Sequence, residues 1–198
     1  MHKAYCLSLL FLLVCFCCKK NTPPSSPVVT NYITYTIPQG EHYALGYDST
    51  HFIFLRATHL HFKAIFDNSA IYKTASANDQ SDVNKLYGFS DNEGSHHVYS
   101  ARVGWSWHKD SLRLFGYTYN DSIRTIKQIA IVQIGKEIDC DIAVDTVNKQ
   151  YLFNINGRMT PMPRKAGTSL ILGYKLYPYF GGEEVAPHTV TIKVGEVP

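Results

Sequence analysis

Two patterns of hydrophobic and polar positions divide this chain. One is an unbroken apolar run, Ala4 to Cys18, set between the basic start Met1-His2-Lys3 and the pair Lys19-Lys20. The other begins at Asn31, where apolar and polar residues alternate in short bursts broken by Gly, Asn, Asp and Pro. Period-two alternation puts successive side chains on opposite faces of a strand. It predicts strands over Asn31 to Ile37, Val98 to Trp107, Ser111 to Tyr119, Ile123 to Ile134, Ile138 to Val144, Tyr151 to Ile155, Gly173 to Phe180 and His188 to Val194. His51 to Phe66 reads as one long strand or two consecutive ones. In it Leu60, Phe62 and Ala64 face one way, with His59, His61 and Lys63 opposite. Asn156-Gly157 between two such runs is a two-residue hairpin signal. Helix is expected only as a turn or two over Asp79 to Leu86, capped by Asp79 or Ser81. Many short strands separated by turn residues predict an all-β domain, a jelly-roll sandwich of two packed antiparallel sheets over residues 31–198.

The apolar run has a different use. Its 15 residues fall short of the ~20 that a membrane-crossing helix needs. A basic start, a short apolar core and small residues at the break form an export signal over residues 1–18. The break falls on cysteines, which resembles a bacterial lipoprotein signal: Cys18 is the expected acylated residue, with Cys17 the alternative, although the bulky Phe16 would precede it. Residues 19–30, rich in Pro and Ser, then read as an extended tether. The expected address is a bacterial cell envelope, with the protein held at a membrane by its N-terminal lipid and facing periplasm or exterior.

Composition narrows the partners. The formal charge of +3 drops to +2 once Lys3 leaves with the signal, and no Lys/Arg block follows Lys19-Lys20. Such a surface is not one for nucleic acid. Of the cysteines, only Cys140 lies beyond the signal, so the mature domain has no intrachain disulfide. Between Asp139 and Asp141, its thiol is expected to be a small buried side chain rather than a nucleophile. Tyrosine is abundant: 14, beside 10 Phe and 2 Trp. Antiparallel sheets favour aromatics in any case, and exposed tyrosines also suit sugar faces.

Several stretches carry a recognisable text: Phe66-Asp67-Asn68-Ser69-Ala70-Ile71-Tyr72, Asp82 to Asp91, Ser100-Ala101-Arg102-Val103-Gly104-Trp105, Tyr174 to Gly182, and Ala186-Pro187-His188. Over about residues 38 to 194 this resembles a family of envelope lipoproteins of Gram-negative bacteria, a resemblance that carries no activity with it. At the level of fold the string resembles the concanavalin-like jelly rolls of carbohydrate-binding modules and of alginate-type polysaccharide lyases. The lyase resemblance implies an Arg strand, here Ser100-Ala101-Arg102-Val103, and a late Tyr strand, here with Tyr177 and Tyr179. It also implies a Gln-Ile-His strand, where this chain has Gln133-Ile134-Gly135 and lacks the histidine.

Other chemistry is sparse. Glu183-Glu184 are adjacent and would point to opposite faces of a strand, unlike the paired carboxylates of a retaining glycosidase. His59 and His61 share a strand face but lack a third ligand at fixed spacing for zinc. Asp79, Asp82, Asp91 and Glu93 suggest, without EF-hand spacing, no cofactor beyond a structural Ca²⁺. Trp105 with Trp107, and Tyr117 with Tyr119, could form an aromatic face for sugar rings or fill the core; polar Ser106 and His108 opposite the tryptophans favour core, and Arg102 falls on the face away from Trp105. The function expected is a non-catalytic glycan-binding module, with Arg102, His59, His61, Tyr117, Tyr119, Tyr177 and Tyr179 as ligand-binding residues and no catalytic or metal residue assigned. The alternatives are a lyase-like or hydrolase-like enzyme and an adhesive or structural surface protein.

Overall fold

The computed structural model describes residues 30–47 and 51–198. The export signal, Cys17, Cys18 and nearly all of the tether lie outside the described residues.

Twelve strands follow one another: β1 (Ile33–Ile37), β2 (Phe54–Ala57), β3 (His59–Phe66), β4 (Asn84–Ser90), β5 (Tyr99–Trp107), β6 (Leu112–Asn120), β7 (Ile123–Val132), β8 (Glu137–Asp145), β9 (Gln150–Ile155), β10 (Arg158–Pro163), β11 (Ile171–Leu176) and β12 (Val190–Glu196). They form two six-stranded sheets, ordered β1-β12-β3-β8-β9-β10 and β2-β11-β4-β5-β6-β7. All pairings are antiparallel. This is the two-sheet jelly-roll sandwich that the alternation predicts.

The run His51 to Phe66 resolves into two strands that serve different sheets. β2 pairs with β11, whereas β3 pairs with β8 and β12. The chain changes sheet at Thr58, whose carbonyl accepts from the Val144 amide. In β3 the alternation is regular: Leu60, Phe62, Ala64 and Phe66 are buried against the facing sheet. Ile138, Cys140 and Ile142 of β8 continue that layer, as do Tyr151, Phe153 and Ile155 of β9. Trp105 is fully buried among Phe66, Tyr72 and Phe180, with ring centroids 5.1, 5.7 and 6.0 Å away. Burial pushes the Cys140 thiol up, and the flanking Asp139 and Asp141 add to this; a protonated thiol in apolar surroundings is not a nucleophile.

One expectation is corrected. Helical structure stops at Ser81, in a 3₁₀ turn over Ala77–Ser81. Asn84 to Ser90 is instead a central strand, β4. Every residue of β4 is buried, because one of its faces meets the core and the other floors a groove. Its register against β5 slips between Lys85 and Tyr87. A strand with two covered faces and a bulge shows no period-two signature.

The hairpin signal at Asn156-Gly157 is realised: both residues have positive φ, 49° and 82°, as a type I′ turn requires. A buried ion pair joins the sheets near one end. Asp91 accepts from Arg164 Nε at 2.7 Å, Tyr151 Oη at 2.9 Å and the Leu172 amide at 3.2 Å.

Candidate functional site

The second sheet keeps one face away from the core, and loops wall that face into a groove of about 580 Å³. Register fixes what lies on its floor. Arg102 of β5 sits opposite Tyr117 of β6 and Gly88 of β4. Two residues along, Ser100 sits opposite Tyr119, and Tyr119 opposite Arg124 of β7. Trp105, three residues from Arg102, faces the core against Leu114.

Gly88 makes room for the arginine. A Cβ at that position would lie 2.2 Å from the Ala101 carbonyl oxygen and 2.8 Å from Arg102 Cγ. With glycine there, the guanidinium lies over the Tyr117 ring, its Cζ 5.1 Å from the centroid. Arg102 is only 6% exposed. Its Nε has no hydrogen-bond partner, and among the described residues no carboxylate ion-pairs with it. Burial holds its pKa down, opposed only weakly by the surrounding tyrosines.

Lys85 reaches the same ring from β4. Its backbone pairs with Tyr179 through two hydrogen bonds, at 2.9 and 3.0 Å. Its Nζ donates to the Gly181 carbonyl at 2.6 Å and stands 5.3 Å from the Tyr117 centroid and 5.1 Å from that of Tyr179. Burial, then Arg102, lower its pKa to about 8; Asp82 opposes the shift from beyond ion-pairing distance. Burial also raises the Tyr117 phenol, so it stays neutral.

A third group lines the wall formed by the loop before β5. His96 Nδ1 and Tyr174 Oη are 3.0 Å apart, and the His97 ring lies 5.4 Å from that of Tyr119. Burial, followed by Arg102 and His97, brings His96 down to about 4, so its imidazole is neutral at physiological pH. Asp79, Asp82 and Glu183 line the groove too. Gly182 allows Asp82 close, since a Cβ there would come within 2.5 Å of Asp82 Oδ2. Tyr47, His51 and Tyr177 contribute a cluster of rings, with Tyr177 4.7 Å from Tyr47 and 5.1 Å from His51. Burial lifts the Tyr177 phenol to about 12.

Of the residues singled out by sequence, the groove gathers Arg102, Tyr117, Tyr119, Tyr177 and Tyr179. His59 and His61 stand elsewhere, on the outer face of the other sheet beside Asp141 and Asp139, at 3.2 and 2.7 Å. Trp105 and Tyr117 do not share a face, because antiparallel register sets Trp105 against Leu114 and Tyr117 against Arg102. The acidic quartet does not gather: Asp91 is buried on Arg164, and no three His, Cys, Asp or Glu side chains among the described residues form a metal cage. Sequence reasoning did not assign Lys85, Arg124 or Tyr174 to a site, and it offered the adjacent His96-His97 only as metal-ligand candidates, with solvated histidine favoured, rather than as part of a groove. Lys85 was hidden in the stretch assigned to a helical turn. The available signal was its place in the Asp82 to Asp91 text beside the glycine that Arg102 requires.

No protein-family model and no curated protein matches the chain, so membership of the envelope-lipoprotein family finds no support from that side. Among solved structures the chain is similar to the CBM40 domain of Ruminococcus gnavus IT-sialidase bound to alpha2,3 sialyllactose: 13% identity, TM-score 0.40, covering 82% of this chain and 90% of that one. It is similar to a family 7 alginate lyase A1-II′ in complex with substrate: 12% identity, TM-score 0.43, covering 74% of this chain and 62% of that one. It is also similar to the carbohydrate-binding module CBM66 from Bacillus subtilis: 6% identity, TM-score 0.38, covering 83% of this chain and 89% of that one. At these identities the likeness is one of fold.

Proposed function

We propose that this domain is a non-catalytic module that binds an acidic polysaccharide along the groove of its second sheet. The observation that carries the reading is Arg102: a nearly buried guanidinium, stacked on Tyr117, with no carboxylate partner among the described residues. A buried charge left unpaired is costly. An anionic ligand group entering the groove removes that cost and gains a charge-assisted, bidentate contact. The tyrosines offer rigid ring faces for pyranose stacking, and the carboxylates of Asp79, Asp82 and Glu183 can accept from sugar hydroxyls. Acylation of Cys18 at the end of the export signal would hold the module at a membrane of the bacterial cell envelope, about a dozen residues from the anchor.

The test is affinity electrophoresis of the full-length protein in gels containing acidic or neutral polysaccharides. Retardation by acidic chains that disappears in Arg102→Met is the expected result. Equal mobility in every gel, or retardation that survives the substitution, overturns the reading.

One observation favours a second reading, β-elimination. His96 and Tyr174 are within hydrogen-bond distance of each other in the same groove as the carboxylate-seeking Arg102. The neutral His96 imidazole could take the proton next to a neutralised carboxylate while the Tyr174 hydroxyl gives a proton to the departing glycosidic oxygen. Growth of ultraviolet absorbance from an unsaturated uronate, abolished by Tyr174→Phe, would replace the binding reading with this one.

A further inference from the structure

The groove places more than one cation around a single ring, and this constrains the ligand beyond its being acidic. Lys85 Nζ and Arg102 Cζ lie 5.3 and 5.1 Å from the centroid of the same Tyr117 ring. Arg124, an exposed residue of β7 facing Tyr119, lines the groove beside them and is near enough to act electrostatically on Lys85. The negative groups of the groove are set apart from this cluster. Asp82 attracts Lys85 only from beyond ion-pairing distance, and Asp79 and Glu183 pair with no cation among the described residues. Lys175, the remaining lining cation, is already taken by Glu196, whose oxygens lie 2.6 and 2.8 Å from its Nζ.

Resting on the acidic-groove reading above, we propose that the sugar unit seated over Tyr117 carries two anionic groups, as a sulfated uronate does, and that Lys85 reads the second of them. One carboxylate neutralises one of two neighbouring buried cations and leaves the other desolvated without a partner, which is the expensive arrangement for buried charge. A second anionic oxygen cluster on the same or the adjoining sugar satisfies both. The two donors are chemically suited to different groups. The planar guanidinium of Arg102 matches a carboxylate edge-on, whereas the ammonium of Lys85 is a point charge with three donors. Among the described residues one of those donors is used, by the Gly181 carbonyl.

The experiment measures calorimetric affinity of the full-length protein for four size-matched oligosaccharides: neutral, uronate without sulfate, sulfated without uronate, and uronate with sulfate. The wild type is expected to hold the doubly anionic chain about tenfold or more tighter than either singly anionic one. In Lys85→Met that gap closes, while affinity for the uronate-only chain changes by less than about twofold. In the exposed Arg124→Gln, which leaves the core untouched, the gap narrows, and this serves as the second variant if Lys85→Met does not fold. Equal affinity of the wild type for the doubly and singly anionic chains overturns the proposal and leaves the acidic-groove reading standing. So does a gap that survives Lys85→Met, or survives Arg124→Gln unnarrowed where Lys85→Met does not fold. Failure to bind any of the three acidic chains overturns both.

Discussion

Replacing Arg102 by methionine should make the protein more stable and less able to bind. Arg102 is nearly fully buried and, among the described residues, has no carboxylate and no partner for its Nε. Exchanging buried charge for an apolar side chain of similar volume gains about 1–4 kcal/mol even where the charge is paired. Against this stands the cation–π contact with Tyr117, 5.1 Å from the centroid, worth about 2 kcal/mol at a desolvated site. With no carboxylate partner among the described residues, Arg102 belongs at the upper end of that range, so a net gain of roughly 1–2 kcal/mol is expected, and a domain of this size shifts Tm by about 2–4 °C per kcal/mol. Arg102→Met should therefore melt roughly 2–8 °C higher by calorimetry while its affinity for an acidic oligosaccharide falls about 30-fold or more, the loss typical of a desolvated charge contact. Arg102→Lys should recover little, since it keeps the charge but not the planar fork. A lower Tm in Arg102→Met would mean that the guanidinium is part of the scaffold, and the reasoning that makes it a ligand anchor would fail.

Other outcomes follow from the same structure. Because native Lys85 titrates near pH 8 and an unfolded lysine near 10.4, the native amine sheds its proton first. Anion affinity should then fall as pH rises through about 8, while folding stability rises from there toward 10; titration calorimetry and urea melts at several pH values read the two trends, and Lys85→Met should flatten both. Asp91→Ala leaves Arg164 buried without its carboxylate and should cost about 3–5 kcal/mol in urea unfolding; a loss below 1 kcal/mol would show that the pair is not holding the sheets. Gly88→Ala forces a Cβ to within 2.2 Å of the Ala101 carbonyl oxygen, so it should cost about 2 kcal/mol or more and weaken acidic-glycan binding by displacing Arg102, with binding of the folded fraction as the readout. Palmitate labelling of cells should mark the wild type and not Cys18→Ala; equal labelling of the two would move the anchor to another residue.

Much of the scaffold is readable from residues alone wherever a strand buries one face only. β3, β8 and β9 alternate cleanly because water lies on their other side, so Leu60, Phe62, Ile142 and Phe153 declare themselves as core. β4 does not. Its Lys85 is covered by groove walls, its Gly88 by Arg102, its Ser90 by β11 and its Tyr87 and Phe89 by the facing sheet, and a bulge breaks the count. The same double covering concealed Lys85, whose charge argued for solvent. Arg102, Tyr117 and Tyr119 stood out by type, yet which tryptophan or tyrosine shares a face with the arginine depends on register between β5 and β6. Register is set by pairing across the hairpin rather than by either strand's own composition. His96 and Tyr174 meet from segments 78 residues apart, a separation that no local pattern reports.

Among the described residues the first strand has one partner, and that partner is the last strand. β1, ending at Ile37, forms its ladder with β12, which starts at Val190. During synthesis, therefore, β1 keeps the amides and carbonyls of its ladder unmatched until β12 has been made. Such long loop closures place folding on the slow side, on the order of milliseconds to seconds. Removal of β12 would strand β1 as an aggregation-prone edge without its ladder.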